Sequence, residues 1–164
     1  MRSITAVILL LGTQLALAGG AVHEYQLDNG LKLIVKEDHR APVVVSQEWY
    51  KVGASYEYDG ITGISHVLEH MMFKGTDKHP AGEFSRIISD NGGSENAFTG
   101  QEYTADFQRL EKSRLPVSFE READRMRNLH LLEEEFQKEI KVVMEERRLR
   151  TEDKPTALTY EQFQ

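Results

Sequence analysis

The sequence predicts an α+β fold, in which helices pack on one face of a mostly antiparallel sheet. Segments with strand spacing and segments with helix spacing come in separate runs instead of alternating strictly. With 164 residues, 40% of them hydrophobic, the chain is long enough for one domain with a buried core. Its formal net charge of −7 and its charge clusters of mixed sign argue against nucleic acid as a partner.

The N-terminus has the features of a secretory signal. Residues 1–18 begin with Arg2, continue through an apolar run at positions 4–11 and end in Ala16-Leu17-Ala18, which predicts cleavage after Ala18. The mature protein is then periplasmic or secreted, with an uncleaved N-terminal anchor as the alternative. No further apolar run has membrane length, so the mature chain is expected to contain no membrane span. Because there is no cysteine, any metal site must be built from histidines and carboxylates.

The first half of the mature chain predicts strands and then helices. Asn29-Gly30 lies between two alternating segments, which is a strong hairpin signal. The β-branched and aromatic run from Val43 to Val52 predicts a central strand. Gly63 to Phe73 predicts a helix, with Thr62 as its cap and Gly75 as its end.

The second half predicts three more helices and further strand structure. Pro80 suits the first turn of a second helix, which Asn91-Gly92-Gly93 ends. Residues 94–107 have strand-like spacing. Pro116 starts a third helix, and a fourth extends from about Leu131 to Arg150, beyond which a polar segment ends it.

The first predicted helix carries a group of titratable side chains. At about 100° per residue, His66, Glu69 and His70 share one side of that helix. Burying such groups costs free energy unless a partner compensates them, and a divalent metal is the obvious candidate. Zinc suits two neutral imidazoles, requires a third protein ligand and leaves one position for water. The alternative is a helix whose histidines are hydrogen-bonded residues of the core or its rim.

The fourth predicted helix offers the third ligand. Its apolar stripe consists of Leu132, Phe136, Ile140 and Val143. Glu139 and Glu146 lie two turns apart along the edge of this stripe, whereas Glu145 falls roughly on the opposite side. A carboxylate that reaches a buried metal should come from the stripe, so we predict Glu146 and not Glu145 as the ligand. The alternative for both Glu139 and Glu146 is a surface carboxylate in an acidic helix.

The order His-x-x-Glu-His at residues 66–70 is that of the inverzincins. With this motif the sequence resembles the pitrilysin/insulinase family of zinc metallopeptidases, in particular its bacterial and processing-peptidase-like branch. The resemblance extends from about Val22 to the end of the chain. It includes Leu27-Asp28-Asn29-Gly30-Leu31, residues 60–66, Phe73-Lys74-Gly75-Thr76, Asn96-Ala97-Phe98-Thr99 and Val143-Met144-Glu145-Glu146-Arg147.

The resemblance implies roles for residues outside the motif. The family's third ligand is a Glu that follows a supporting Glu by seven positions, which matches Glu146 and Glu139 here. Glu139 would then orient a metal ligand. Asn96, Ala97 and Phe98 would lie along the cleft, where a strand edge holds an extended peptide. Spacing alone allows equally that they belong to an ordinary interior strand.

The resemblance also implies an activity, a zinc-dependent metalloendopeptidase with one Zn²⁺ per chain. Glu69 would be the general base, taking a proton from water and passing it to the leaving amine of a peptide or unfolded polypeptide substrate. Family members are longer and pair this domain with a related second domain or a homologous subunit. Residues 22–164 are therefore expected to form an incomplete N-terminal zinc-binding peptidase domain.

Two other functions remain open at this stage. The protein could be a non-catalytic zinc-binding subunit or assembly partner, although a purely structural site has no need of Glu69. It could also be a zinc hydrolase that acts on something other than peptides. The remaining histidines lack a partner at ligand spacing and are expected to be bystanders: His23, His39, His79 and His130.

Overall fold

The structure is a computed structural model that describes residues 20–163. The predicted signal segment, residues 1–18, lies outside the described residues. The chain divides between Ala41 and Pro42 into two compact units. Among residues 20–163, no helix combines the length and the apolar character that crossing a membrane requires.

The described elements are five strands and five α-helices. The strands are β1 (Val22–Gln26), β2 (Lys32–Lys36), β3 (Val43–Tyr50), β4 (Ser94–Thr99) and β5 (Thr104–Glu111). The helices are α1 (Ile64–Met71), α2 (Glu83–Asp90), α3 (Leu115–Asn128), α4 (Glu133–Arg147) and α5 (Pro155–Phe163). The predicted α+β class is confirmed.

The first unit is a β-hairpin. Strands β1 and β2 pair antiparallel, from Val22 opposite Lys36 to Gln26 opposite Lys32. The side chain of Asn29 accepts a hydrogen bond from the Leu31 N–H at 3.1 Å, and Gly30 has φ 89°. Asn-Gly therefore makes the turn in the predicted way, since glycine tolerates a positive φ without steric cost.

The second unit contains a three-stranded antiparallel sheet in the order β3-β5-β4. The prediction that Val43 to Val52 is a central strand is wrong, because β5 occupies the middle and β3 ends at Tyr50. A β-branched run indicates that a strand fits a pleated surface and does not fix its place in the sheet. The strand-like region 94–107 is also two strands, β4 and β5, joined where the Gly100 N–H donates to the Tyr103 carbonyl at 2.7 Å.

Helices cover one face of this sheet. Along β3 the side chains of Val44 and Ser46 face inward, whereas Val43 and Val45 are exposed. A small apolar core joins Phe84 and Ile88 of α2 to Leu110 of β5. The alternation along β3 is the pattern expected when only one face of an antiparallel sheet is packed.

Several helix boundaries differ from those predicted. Helix α2 starts at Glu83, and Pro80 lies in the preceding loop, where it forms an isolated bridge with Gly75. Pro116 does lie in the first turn of α3. Helix α4 is shorter than predicted, and a π-helical turn at Arg148–Glu152 connects it to α5, which the sequence analysis missed. The polar residues between the two helices end the first but do not prevent a second.

The interior also contains a cluster of charged side chains centred on Arg125 of α3. Its guanidinium donates to Asp106 of β5 and to Glu122, and all three residues are at most 4% exposed. Gln108 donates to Glu122 at 2.7 Å and accepts from Ser118 at 2.7 Å. Charges that are paired and hydrogen-bonded in this way can be buried, whereas removing one partner would leave an uncompensated charge.

This cluster contains more carboxylates than cations. Burial raises the pKa of Glu122 to about 8 and that of Glu48 on β3 to about 7. Oε2 of Glu48 and Oδ2 of Asp106 are buried and lack a hydrogen-bond partner among the described residues. Near neutral pH, a proton on Glu48 therefore relieves repulsion between two neighbouring carboxylates.

We predict that Glu48→Gln stabilises the protein at pH 8. The folded-state pKa of Glu48, about 7, lies above the ordinary value of 4.5. Protonated Glu48 therefore contributes its full stabilisation below about pH 4.5, and this contribution is lost as the pH rises through 7. A glutamine amide supplies a permanent donor, so the variant should lose less stability than wild type between pH 5 and pH 8. Urea unfolding at several pH values measures this, with Glu102→Gln in the exposed turn as the control. Parallel pH profiles for wild type and Glu48→Gln would contradict the prediction.

Candidate metal centre

Helix α1 is held at its start by a carboxylate from the preceding loop. Oε2 of Glu57 accepts from the Gly63 N–H at 2.6 Å, and its Oε1 accepts from the Ser65 N–H at 2.8 Å. The predicted cap, Thr62, is wrong, because Gly63 occupies the cap position with φ 91° and no side-chain cap bond is formed. Burial alone would raise the pKa of Glu57, but these backbone bonds outweigh it and lower the pKa. The negative charge also suits the positive end of the helix dipole.

The two histidines of α1 point their rings at the same space. Their Nε2 atoms lie 3.3 Å apart, and the rings meet edge to face with centroids 4.8 Å apart. Both side chains are partly buried, His66 at 32% exposure and His70 at 19%. The one-turn spacing in the helix accounts for this convergence.

Helix α4 brings Glu146 to the histidines. Oε2 of Glu146 lies 3.6 Å from Nε2 of His66, and donor atoms of His66, His70 and Glu146 all lie within 4.8 Å of one another. The neighbouring Glu145 is directed elsewhere, because its side chain is 55% exposed and pairs with Arg148. The carboxylate on the apolar stripe is thus the one that reaches the histidines.

The chemistry of these donors fits a zinc ion. Oε2 of Glu146 is buried and has no hydrogen-bond partner in the described part of the chain, while Oε1 has only a long 3.4 Å bond from the exposed Arg150. In a tetrahedral site with Zn–N distances of about 2.0–2.1 Å, two imidazole nitrogens are roughly 3.3–3.4 Å apart. The observed separation of 3.3 Å between the Nε2 atoms of His66 and His70 matches this value.

Glu139 lies between His70 and Lys74. Its Oε2 lies 3.0 Å from Nδ1 of His70, and its Oε1 lies 2.5 Å from Nζ of Lys74. Burial alone would raise the pKa of Glu139, but the bonds from Lys74 and His70 outweigh it and lower the pKa. Glu139 therefore carries a negative charge beside an imidazole. The sequence does not predict the contact between Lys74 and Glu139, because no local pattern indicates a contact with a residue 65 positions away.

Glu69 lies beside the donor group without belonging to it. Thr99 at the end of β4 donates to Oε2 of Glu69 at 2.5 Å. Glu69 also lines a cavity of about 300 Å³. Other residues that line this cavity include His70, Lys74, Asn96, Ala97 and Glu139. Glu69 and one of the two histidines, His70, thus line the same cavity.

The three predicted substrate-binding residues are only partly brought to this cavity. Asn96 and Ala97 line it, and β4 pairs only with β5 in the described residues, so its outer edge has no strand partner there. The Ala97 N–H donates to Oδ1 of Asn96 at 2.9 Å. Phe98 does not line the cavity, and its ring packs against Trp49 and Tyr103 with centroids 5.7 Å and 6.0 Å away. Alternation along the strand places the side chains of Ala97 and Phe98 on opposite faces.

The histidines predicted to be bystanders lie outside the donor group. His79 is near Glu83 and Arg121, and His130 is near Asp77. The described residues contain one other group of three donors within 4.8 Å, namely Glu48, Asp106 and Glu122, and Arg125 pairs with two of them, Asp106 and Glu122.

Comparison with known proteins identifies the family. The family model described as "Insulinase (Peptidase family M16)" matches residues 32–163. The chain belongs to this family. Membership confirms the resemblance inferred from the His-x-x-Glu-His motif and its flanking segments.

Several relatives within the insulinase family are zinc proteases by name. The chain is 40% identical over 138 residues to the zinc protease PqqE of Helicobacter pylori, covering 84% of this chain and 31% of that protein. It is 31% identical over 140 residues to the uncharacterized zinc protease YmxG of Bacillus subtilis, covering 85% of this chain and 34% of that protein. It is also 31% identical over 121 residues to cytochrome b-c1 complex subunit 1 of Bos taurus, covering 74% of this chain and 25% of that protein.

Solved structures of similar proteins share the fold. A protease from Helicobacter pylori superposes with a TM-score of 0.83 at 37% identity, over 87% of this chain and 34% of that one. Pitrilysin superposes with a TM-score of 0.66 at 29% identity, over 73% of this chain and 13% of that one. The chain therefore spans about a third of the length of the zinc proteases that it matches.

We predict that Glu57→Ala destabilises the protein by about 1 kcal/mol, the usual cost of losing a side-chain cap. The variant removes the acceptor for the Gly63 and Ser65 N–H groups that open α1. The free energy of unfolding from urea titration measures the effect, and Glu102→Ala is the matched control. Equal stability of the two variants would show that the Glu57 bonds do not support the helix.

Proposed function

We propose that this protein is a zinc-dependent metalloendopeptidase in which Glu69 acts as general base. The observation that carries the proposal is the convergence of two imidazoles and a carboxylate whose buried oxygen lacks a partner in the described residues. Membership of the insulinase family and relatives named zinc proteases support it. His66, His70 and Glu146 would hold one zinc ion per chain.

The proposed chemistry divides between the metal and Glu69. When bound, zinc polarises a carbonyl group and lowers the pKa of a water to about 7. Thr99 already bonds Oε2 of Glu69, which leaves Oε1 to accept a proton from a water in the cavity. Glu69 then returns this proton to the amine that leaves when the peptide bond breaks. One carboxylate thus serves as base and then as acid.

The proposed substrate is a peptide or an unfolded polypeptide in extended form. The outer edge of β4 presents backbone N–H and C=O groups beside the cavity, and Asn96 and Ala97 lie at that edge. An extended peptide can add to such an edge as another strand, which fixes its register by main-chain hydrogen bonds. In this proposal Phe98 contributes its backbone, since its ring lies on the other face.

We propose that a second domain or a homologous subunit completes the cleft, since the zinc protease relatives are about three times as long as the matched region. A wall opposite β4 would exclude water and orient the scissile bond. The N-terminal segment 1–18 supports a periplasmic or secreted location.

One relative favours a second candidate, a non-catalytic subunit. Cytochrome b-c1 complex subunit 1 of Bos taurus is named as part of a complex and not as a protease. Glu69 and the hydrogen bond that Thr99 donates to it support the catalytic role instead, because an assembly role requires neither.

We predict that His66→Ala and Glu146→Gln each lose most of the bound zinc, because each removes one of three ligands. Metal analysis of the purified full-length protein measures this. Glu145→Gln is the matched control, since it makes the same change one residue away on an exposed side chain, and it should retain zinc. Wild-type zinc content in both ligand variants would overturn the proposed site.

We predict that Glu69→Gln retains zinc and loses peptidase activity by about 10²–10⁴-fold, the usual contribution of a general base. Glutamine keeps the shape of the side chain and its acceptor for Thr99 but cannot take a proton. Zinc content and kcat/KM on a peptide library, both measured on the full-length protein, test the two parts separately. Undiminished turnover would place the base elsewhere, and absence of activity in zinc-loaded wild type would favour the subunit role.

A further inference from the structure

Lys74 lies close to the proposed zinc centre although it is not one of its donors. It follows the end of α1, where its backbone N–H donates to the Met71 carbonyl at 3.0 Å. The next residue, Gly75, has φ 98°, and a Cβ there would lie 2.5 Å from the His79 carbonyl oxygen. The turn therefore admits only glycine at position 75 without rearrangement, and it fixes the place from which the Lys74 side chain starts.

The side chain of Lys74 turns towards α4 and not towards solvent. Its Nζ lies 2.5 Å from Oε1 of Glu139, with exposed fractions of 23% for the lysine side chain and 9% for the carboxylate. Lys78 in the same loop shows the contrast, because it is 72% exposed and 3.8 Å from its nearest carboxylate, Asp124. The buried, short contact of Lys74 is the kind of ion pair whose removal has a measurable cost.

The two oxygens of Glu139 have different partners. Oε1 faces Lys74, and Oε2 lies 3.0 Å from Nδ1 of His70. A neutral imidazole has one N–H and one lone pair, so an N–H at Nδ1 that donates to Glu139 leaves the lone pair on Nε2. That Nε2 lies 3.3 Å from Nε2 of His66, inside the donor group.

We propose that Lys74 is a positioning residue of the zinc centre, which acts by fixing the carboxylate of Glu139 in the orientation that aims His70 at the metal. The inference rests on the proposed function. With a single partner, a carboxylate can rotate about its last side-chain bond and its hydrogen bond to the imidazole loosens. With Lys74 on Oε1, the direction of Oε2 is set, and with it the plane of the His70 ring.

Zinc affinity of the full-length protein tests this inference, measured by competition with a chelator of known affinity. Lys74→Met keeps an unbranched side chain that is one atom shorter and removes the charge and donors, and it should weaken zinc binding about tenfold, as loss of a supporting partner typically does. Lys74→Arg restores a cationic donor and should lie within about threefold of wild type. Lys78→Met, the matched control, should leave the affinity unchanged.

A double-mutant cycle separates positioning from a general effect on the fold. In a Glu139→Gln background, Lys74→Met should cause no further loss of zinc affinity, because the residue through which it acts is already altered. Urea unfolding of the metal-free variants shows whether each is folded. A zinc affinity of Lys74→Met within twofold of wild type, or an equal loss in the Glu139→Gln background, overturns the inference.

Failure of the proposed function has a different signature. If wild type binds no zinc, or if His66→Ala binds it as wild type does, the zinc centre itself is wrong and the role of Lys74 is overturned with it. If wild type binds zinc through His66 and Glu146 while Lys74→Met is unaffected, only the role of Lys74 is overturned.

Discussion

The candidate site depends on one contact, the packing of α1 against α4. His66 faces Glu146 and His70 faces Glu139, so the residue that comes later in α1 meets the residue that comes earlier in α4. The two helices therefore run antiparallel where they carry these side chains. His66 and His70 are four residues apart, one turn of α1, and Glu139 and Glu146 are seven residues apart, two turns of α4, so each pair lies along one face of its helix.

Two groups of carboxylates in this chain balance their charge by different means. Around Arg125, the protein supplies an internal cation, and burial raises the pKa values of Glu122 and Glu48 so that protons balance the rest. At the histidines, Lys74 compensates Glu139, but Oε2 of Glu146 has no such partner among the described residues. Imidazole lone pairs beside an unpaired carboxylate oxygen form a donor set for a metal, whereas carboxylates around a guanidinium form a structural ion cluster.

The parts of the site that follow from periodicity within one element are predictable from the sequence. The shared face of His66 and His70, and the choice of Glu146 over Glu145, follow from helix geometry alone. The contacts that the sequence does not predict join residues distant along the chain. Thr99 reaches Glu69 across 30 positions, and Lys74 reaches Glu139 across 65. No local pattern encodes such pairs, because they depend on how the elements pack.

The wrong predictions about the place of β3 and the cap of α1 have a similar origin. The place of β3 at the end of the sheet depends on its neighbours and not on its β-branched residues. Helix α1 is capped from a loop six residues upstream by Glu57, outside the window in which cap signals are sought. By contrast, the Asn29-Gly30 hairpin was predictable because its turn residues act within four positions of one another.

Strand β4 connects the proposed base to the proposed substrate. Thr99, its last residue, holds Glu69 by a 2.5 Å bond, and Ala97, two positions earlier, lines the cavity beside the same carboxylate. A peptide that added to the outer edge of β4 would take its register from the backbone of this strand. The scissile bond and the base would then both be in contact with this strand, the substrate through its backbone and Glu69 through Thr99. In this proposal an edge strand guides the substrate without any of its side chains being a metal ligand.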